Sequence, residues 1–213
     1  ARDQFLQGNR LEAITLYKRA IELDPNFALP HARLANTYDG IGQAELAKEY
    51  AAKAYQLRQR TSEREKFYIT SIYYDCVTGE IEKDIEILKV WAQTYPRDPY
   101  PHNTLGMRYH CLGAFEEAVK EARESQRLDP NYVFPPGNVA AALMRLERYD
   151  EALASIQQAQ ERKLDSMLYH LVLFRVGFAQ GNEALLQQQV TWGKGRLDEL
   201  HTLNWQALAA AFN

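Results

Sequence analysis

The chain has 213 residues, 46% of them apolar and 25% charged, and a net charge of −3. That composition supports a packed core and excludes wholesale disorder, and the acidic balance offers no electrostatic footprint for nucleic acid. Two cysteines, Cys76 and Cys111, cannot build a disulfide framework, and no apolar run approaches the roughly 20 residues of a membrane helix, so no membrane insertion by this stretch is expected.

One pattern recurs from end to end. Ala20-Ile21-Glu22-Leu23-Asp24-Pro25-Asn26-Phe27 returns as Ser125-Gln126-Arg127-Leu128-Asp129-Pro130-Asn131-Tyr132, 105 residues later. Gly8, Gly42, Gly79, Gly113 and Gly181 are separated by 34, 37, 34 and 68 residues, with Glu147 at the place midway between the last two. Both series fit a period of 34 with one slip of three residues, which the sequence places in the Arg-rich turn Arg60 to Arg64. A repeat of this length signals a stack of helical hairpins.

In chain order, a partial repeat covers 1–27 and full repeats cover 28–61, 65–98, 99–132, 133–166 and 167–200; residues 201–213 begin another. In 28–61 the markers are Leu34, Ala35, Tyr38, Gly42, Ala47, Ala51 and Ala54. Ser62 and Glu65 predict a capping box before the next first helix. Repeat 65–98 departs most: Ile72, Asp84 and Trp91 stand where small residues are expected, which predicts local repacking. In 99–132, Leu105, Tyr109 and Leu112 mark one helix face, and Phe115, Ala118, Val119, Ala122 and Ser125 the next. Gly113 supplies a turn with φ > 0, and Pro130 stops the second helix. Pro135 and Pro136 fall in a first helical turn, where proline is tolerated. Repeat 167–200 carries Gly177 and Phe178 and lacks the closing proline. The stretch from Trp205 to Phe212 looks like a first helix cut before its turn. Both ends stop inside a repeat, which predicts a piece of a longer protein.

These residues resemble the tetratricopeptide (TPR) family, whose repeats keep small residues where helices approach closely. Leu105, Gly106, Tyr109, Gly113, Ala118, Ala122, Ser125 and Pro130 give the fullest match. The resemblance implies an all-α fold: a right-handed superhelical TPR solenoid of antiparallel helix hairpins, with 1–213 as a single array.

Motifs for chemistry are missing. There is no Gly-x-Ser-x-Gly or His-Glu-x-x-His, and Gly193-Lys194-Gly195 is too short for a phosphate-binding loop. His31, His102 and His170 occupy equivalent repeat positions. Such positions two repeats apart lie on the order of 20 Å from one another, given about 8–10 Å between packed helices, whereas zinc ligands converge within about 2.3 Å of one ion. No metal, cofactor or catalytic residue is expected.

The family resemblance implies that first helices line a ligand-binding concave face. Carried onto this chain, the face includes Asn36, Tyr73, Tyr100 and Asn103, then Met107 and His110. Phe134, Met144, Arg145, Arg175 and Phe178 continue it. The aromatic and Met content suits a protein or peptide ligand. The family's carboxylate clamp does not fit, because Ala32 and Thr70 occupy two of its positions although Asn36 matches a third.

A narrower resemblance covers Ser62-Glu63-Arg64-Glu65, Tyr68-Ile69, Tyr73-Tyr74, Thr78-Gly79 and Trp91. It continues through Tyr95-Pro96-Arg97-Asp98, Pro101-His102-Asn103 and Leu105-Gly106, with Leu164-Asp165-Ser166 and His170-Leu171 later. These are similar to the TPR tails of bacterial serine/threonine protein kinases. The implied function is the interaction or sensory region of a multidomain signalling protein, in the cytoplasm or on the extracytoplasmic side of a membrane-anchored kinase. The alternatives are a structural module that self-associates through its end repeats and the TPR tail of a transcriptional regulator.

Overall fold

A computed structural model describes residues 10–195 and 199–211. Gly8 and Phe212, which mark the two partial repeats, lie outside them. Twelve α-helices, and no strand, occur among the described residues. They are α1 (Arg10–Leu23), α2 (Ala28–Asp39), α3 (Ala44–Leu57), α4 (Glu63–Tyr73), α5 (Ile81–Thr94) and α6 (Pro99–Cys111). The series continues with α7 (Phe115–Leu128), α8 (Phe134–Arg145), α9 (Tyr149–Glu161), α10 (Met167–Ala179), α11 (Glu183–Gly193) and α12 (Glu199–Ala211). This is the all-α hairpin fold of a TPR solenoid. The chain forms two compact units, residues 1–108 and 109–213.

The hairpin turns explain the glycine spacing. Gly42, Gly79, Gly113 and Gly181 have φ between 65° and 77°, and Glu147 takes the same place at φ 58°. A side chain in this left-handed region costs roughly 1–2 kcal/mol, so glycine is favoured and Glu147 carries strain.

One residue of the three-residue slip lies in the turn the sequence suggested, and two lie elsewhere. The connection 58–62, which includes a 3₁₀ turn at Arg58–Arg60, is one residue longer than those at 24–27 and 95–98. The other two lie in the helix: Glu63 opens it 16 residues before Gly79, whereas Ala28 and Pro99 open theirs 14 before Gly42 and Gly113. A π-helical turn at Tyr74–Thr78 accommodates the longer helix, and the Gly79 amide donates to the Tyr74 carbonyl at 2.8 Å. A π turn spends an extra residue per hydrogen-bonded ring, which is how helices absorb insertions.

In the first unit, Ala47, Ala51 and Ala54 of α3 are all but inaccessible. The corresponding residues of α5 are Asp84, Leu88 and Trp91, equally buried. Each large or charged replacement has partners. The Trp91 indole donates to Asp98 Oδ2 at 3.0 Å and stacks on Tyr100 and Phe67. Asp98 also accepts from Arg64 Nε at 2.6 Å and from the Tyr100 amide at 3.1 Å. Arg108 of α6 bridges Asp84 at 2.5 Å and Asp75 at 2.7 Å. The expected repacking is therefore specific. The capping box is formed as well: Ser62 Oγ accepts from the Glu65 amide, and Glu65 Oε2 accepts from the Ser62 amide at 3.0 Å.

The second unit is built on small residues. Ala118, Val119 and Ala122 of α7 meet Val139, Ala140, Ala142 and Leu143 of α8, and Ala152, Ile156 and Ala159 of α9 extend the core. Tyr169 of α10 is fully buried and donates its hydroxyl to the Val133 carbonyl at 2.5 Å. Gly137 permits this approach: a Cβ there would sit 2.9 Å from Leu168 Cδ2 and 3.0 Å from the Tyr169 ring.

Candidate functional site

The first helices of the two units present different chemistry. In the first unit Asn36 of α2 is half-buried. Tyr73 stacks face to face on Tyr55 of α3, centroids 3.9 Å apart, and the Arg58 guanidinium lies 3.5 Å from the Tyr55 ring centroid. Tyr100 lies between Trp91 and Tyr68, with Arg33 4.1 Å over the Tyr68 ring. Asn103 is 4% exposed, and its amide nitrogen sits 3.9 Å from Met107 Sδ. Of the expected lining residues in this unit, Met107 alone is openly exposed. Tyr73 and Tyr100 instead build the aromatic layers that the irregular hairpin needs.

Charge in this unit is largely neutralised inside the fold. Burial pushes the Asp84 carboxyl upward, and Arg108 opposes that shift while remaining the buried cation of the cluster. Burial and the neighbouring Asp75 also raise Asp39. The Cys76 thiol is pushed up to about 12, mainly by burial and then by Asp75 and Asp39. It is held protonated at neutral pH and is no nucleophile.

In the second unit a cluster forms that the sequence named only in part. His110 packs edge-on against Phe115, centroids 5.3 Å apart, and the Arg145 guanidinium lies 5.2 Å over the same ring. Burial lowers the His110 pKa, and the charges of Arg145 and Arg175 lower it further. The imidazole is thus neutral beside two cations at neutral pH. Arg175 is exposed on α10 and Phe178, 38% exposed, lies one helical turn further on. Neither arginine has an ion-pair partner among the described residues. Met144 packs partly against the alanine-rich core, and Phe134 meets Tyr132 edge-on at the start of α8. The structure therefore brings His110 and Arg145 against Phe115, with Arg175 acting on His110, and places Phe134 and Met144 in packing contacts. Phe115 read in sequence only as the first apolar residue of a second helix. Its position directly after the Gly113 turn is the signal that could have found it.

His31 and His170 are structural. His31 is buried and its Nε2 lies 3.1 Å from the Pro25 carbonyl. His170 stacks on Trp192 at 3.6 Å between Gln189 Oε1 and Asp165 Oδ1, at 2.7 and 2.8 Å. No group of three or more His, Cys, Asp or Glu side chains suited to a metal ion occurs among the described residues. None of the described helices is long and apolar enough to cross a membrane.

A family model for the TPR repeat matches residues 3–42, and one for the tetratricopeptide repeat matches residues 30–61. Superkiller complex protein 3 of Mus musculus is 25% identical over 158 residues, and that of Homo sapiens 23%. The match takes in 74% of this chain, which spans 10% of the length of these relatives. Among solved structures, TTC0263, a TPR protein of Thermus thermophilus, is similar with a TM-score of 0.62 at 21% identity, over 84% of this chain and 94% of that one. Yeast Tom70 is similar at 0.63 and 15% identity over 93% of this chain and 43% of its own, and PilF of Pseudomonas aeruginosa at 0.54 and 19% over 95% and 92%. These likenesses show the fold. Residues 3–61 match TPR repeat models, and the helical hairpins that follow share the fold of the solved TPR structures.

Proposed function

We propose that this chain is a scaffold that binds a protein or peptide segment along the first-helix face of residues 109–211. The observation that carries the reading is the open cluster there: Phe115 with Arg145 over it, His110 beside it, and exposed Arg175 and Phe178 on α10. Aromatic and arginine side chains left accessible on rigid helices bury much area at little entropic cost when a ligand arrives. The groove of the first unit contributes less, because its tyrosines are committed to packing.

Selection of a random-sequence peptide library on the intact protein tests the reading. We expect enriched sequences whose binding is lost in Phe178→Ser. No enrichment, or binding indifferent to Phe178→Ser in a folded variant, would overturn it.

The finer assignment is to the interaction region of a bacterial signalling protein of the serine/threonine kinase type. It is supported by the resemblance of Ser62 to Gly106 to kinase-linked repeat tails. The gene sequence upstream of Ala1 tests it: a Gly-rich loop and a His-Arg-Asp motif are expected there, and a different effector domain would refute it. A second reading, self-association through end repeats, is favoured by Leu11, Leu16 and Leu23 on α1 and Leu200, Leu203 and Leu208 on α12, all exposed. Sedimentation across a concentration series separates the two, since self-association predicts a rising mass and peptide binding alone predicts a constant one.

A further inference from the structure

In the second unit, charge is sorted by helix. The first helices α8 and α10 contain no Asp or Glu at all, and their cations are Arg145 and Arg175. The second helices carry the acids: Glu116, Glu117, Glu121 and Glu124 on α7, and Asp150, Glu151 and Glu161 on α9. The arginines of α7 are neutralised locally, whereas its Lys120 has no ion pair among the described residues. Arg127 pairs with Glu124, and Arg123 with Glu151. Arg148, just before α9, is held by Glu116 and Glu151. Arg145 and Arg175 have no such partners among the described residues, and the helices that carry them, α8 and α10, pack against each other. Two uncompensated guanidiniums therefore share one neighbourhood with an aromatic ring and a neutral imidazole.

We propose that this face takes an acidic peptide segment, in which Asp or Glu carboxylates pair with Arg145 and Arg175 and an adjacent apolar side chain packs against Phe115 and Phe178. The inference rests on the peptide-binding reading and specifies its ligand. A guanidinium fork matches a carboxylate bidentately, and stacking of Arg145 on Phe115 pre-orients one fork. Nucleic acid is disfavoured, because the acidic second helices flank only two cations and neither α8 nor α10 carries a lysine. The arrangement also differs from a clamp for a terminal carboxylate: both arginines sit in the C-terminal halves of their helices, so an internal segment is accepted.

The test uses the same random library on the full chain, with peptides blocked at both ends, against wild type and Arg145→Gln/Arg175→Gln. Both arginines are exposed and without ion pairs among the described residues, so the double variant is expected to keep its Tm. Wild type should enrich Asp and Glu over Lys and Arg, and the variant should lose that bias. A synthetic winner should bind about tenfold or more weaker after Glu→Gln exchange. It should also weaken as salt rises from about 0.1 M to 1 M, where the screening length falls from about 10 to about 3 Å. Enriched sequences that are neutral or basic would overturn the acidic assignment while leaving peptide binding intact. A phosphoserine peptide bound more than about tenfold tighter than its Glu counterpart would overturn the carboxylate in favour of a phosphate. Absence of any enriched sequence would remove the peptide-binding reading itself, and this inference with it.

Discussion

The hairpin α4/α5 and the hairpin α8/α9 solve one packing problem with opposite means. In α9, Ala152 and Ala159 let helices approach closely, and the core is alanine, valine and leucine. In α5 the same places hold Asp84 and Trp91, and the extra volume and charge are matched by Arg108, Asp98, Tyr100 and a π turn. The comparison teaches that the repeat tolerates large residues at its close-contact positions when partners arrive with them. It also has a functional side. The irregular hairpin draws its arginine and tyrosines into internal contacts, whereas the regular one leaves Arg145 open to a ligand.

The largest effect should come from breaking the buried ion cluster. Arg108→Leu strands Asp84 at 1% side-chain exposure, and a loss of about 3–5 kcal/mol is expected in denaturant titration. Its pH dependence has a definite sign. Burial already raises the Asp84 carboxyl, and without Arg108 its folded pKa lies further above the unfolded value near 4. The variant therefore regains stability as pH falls from that folded value toward about 4. Adding Asp84→Ala should restore wild-type stability or exceed it, since an apolar replacement of the pair returns the hairpin to the regular pattern. If the double variant is as weak as the single one, the two hairpins are not equivalent solutions.

Trp91→Ala inserts the residue that the regular hairpins use, yet it should cost about 3–5 kcal/mol, because the layer of Phe67, Tyr68 and Tyr100 cannot collapse into the space. A smaller change would mean that the aromatic layer adapts. Gly137→Ala probes the regular side. Its Cβ would press on Tyr169, which is anchored through its hydroxyl to Val133, and a loss of about 1–3 kcal/mol is expected from thermal unfolding. The smallest effect is a gain. Glu147→Gly relieves φ 58° at the turn and should stabilise by roughly 0.5 kcal/mol after the added freedom of the unfolded chain is counted.

Much of the fold was legible because the hairpin turn makes a stereochemical demand. Residues spaced to take φ > 0 appear as glycines in sequence, and even Glu147 was found by position. Two residues of the slip were misplaced because a π turn leaves no residue signature; only the distance from helix start to turn reveals them. The site was legible by halves. Repeat position identifies which residues lie on first helices, and it brought out His110, Arg145 and Arg175. It says nothing about which of them already have partners. Tyr73, Tyr100 and Asn103 looked available until the compensations for Asp84 and Trp91 were visible, since those contacts join residues 24 positions apart in the case of Asp84 and Arg108. Phe115 belongs to a second helix and was hidden by its helix assignment.

The most direct test of the account is amide chemical-shift mapping of the intact, isotopically labelled chain with a library-selected peptide. The account predicts perturbations concentrated at His110, Arg145, Arg175 and Phe178, with the outward residues of α7 and α9 unchanged. Perturbations centred on the acidic second helices, or spread through the aromatic layer around Trp91, would contradict it.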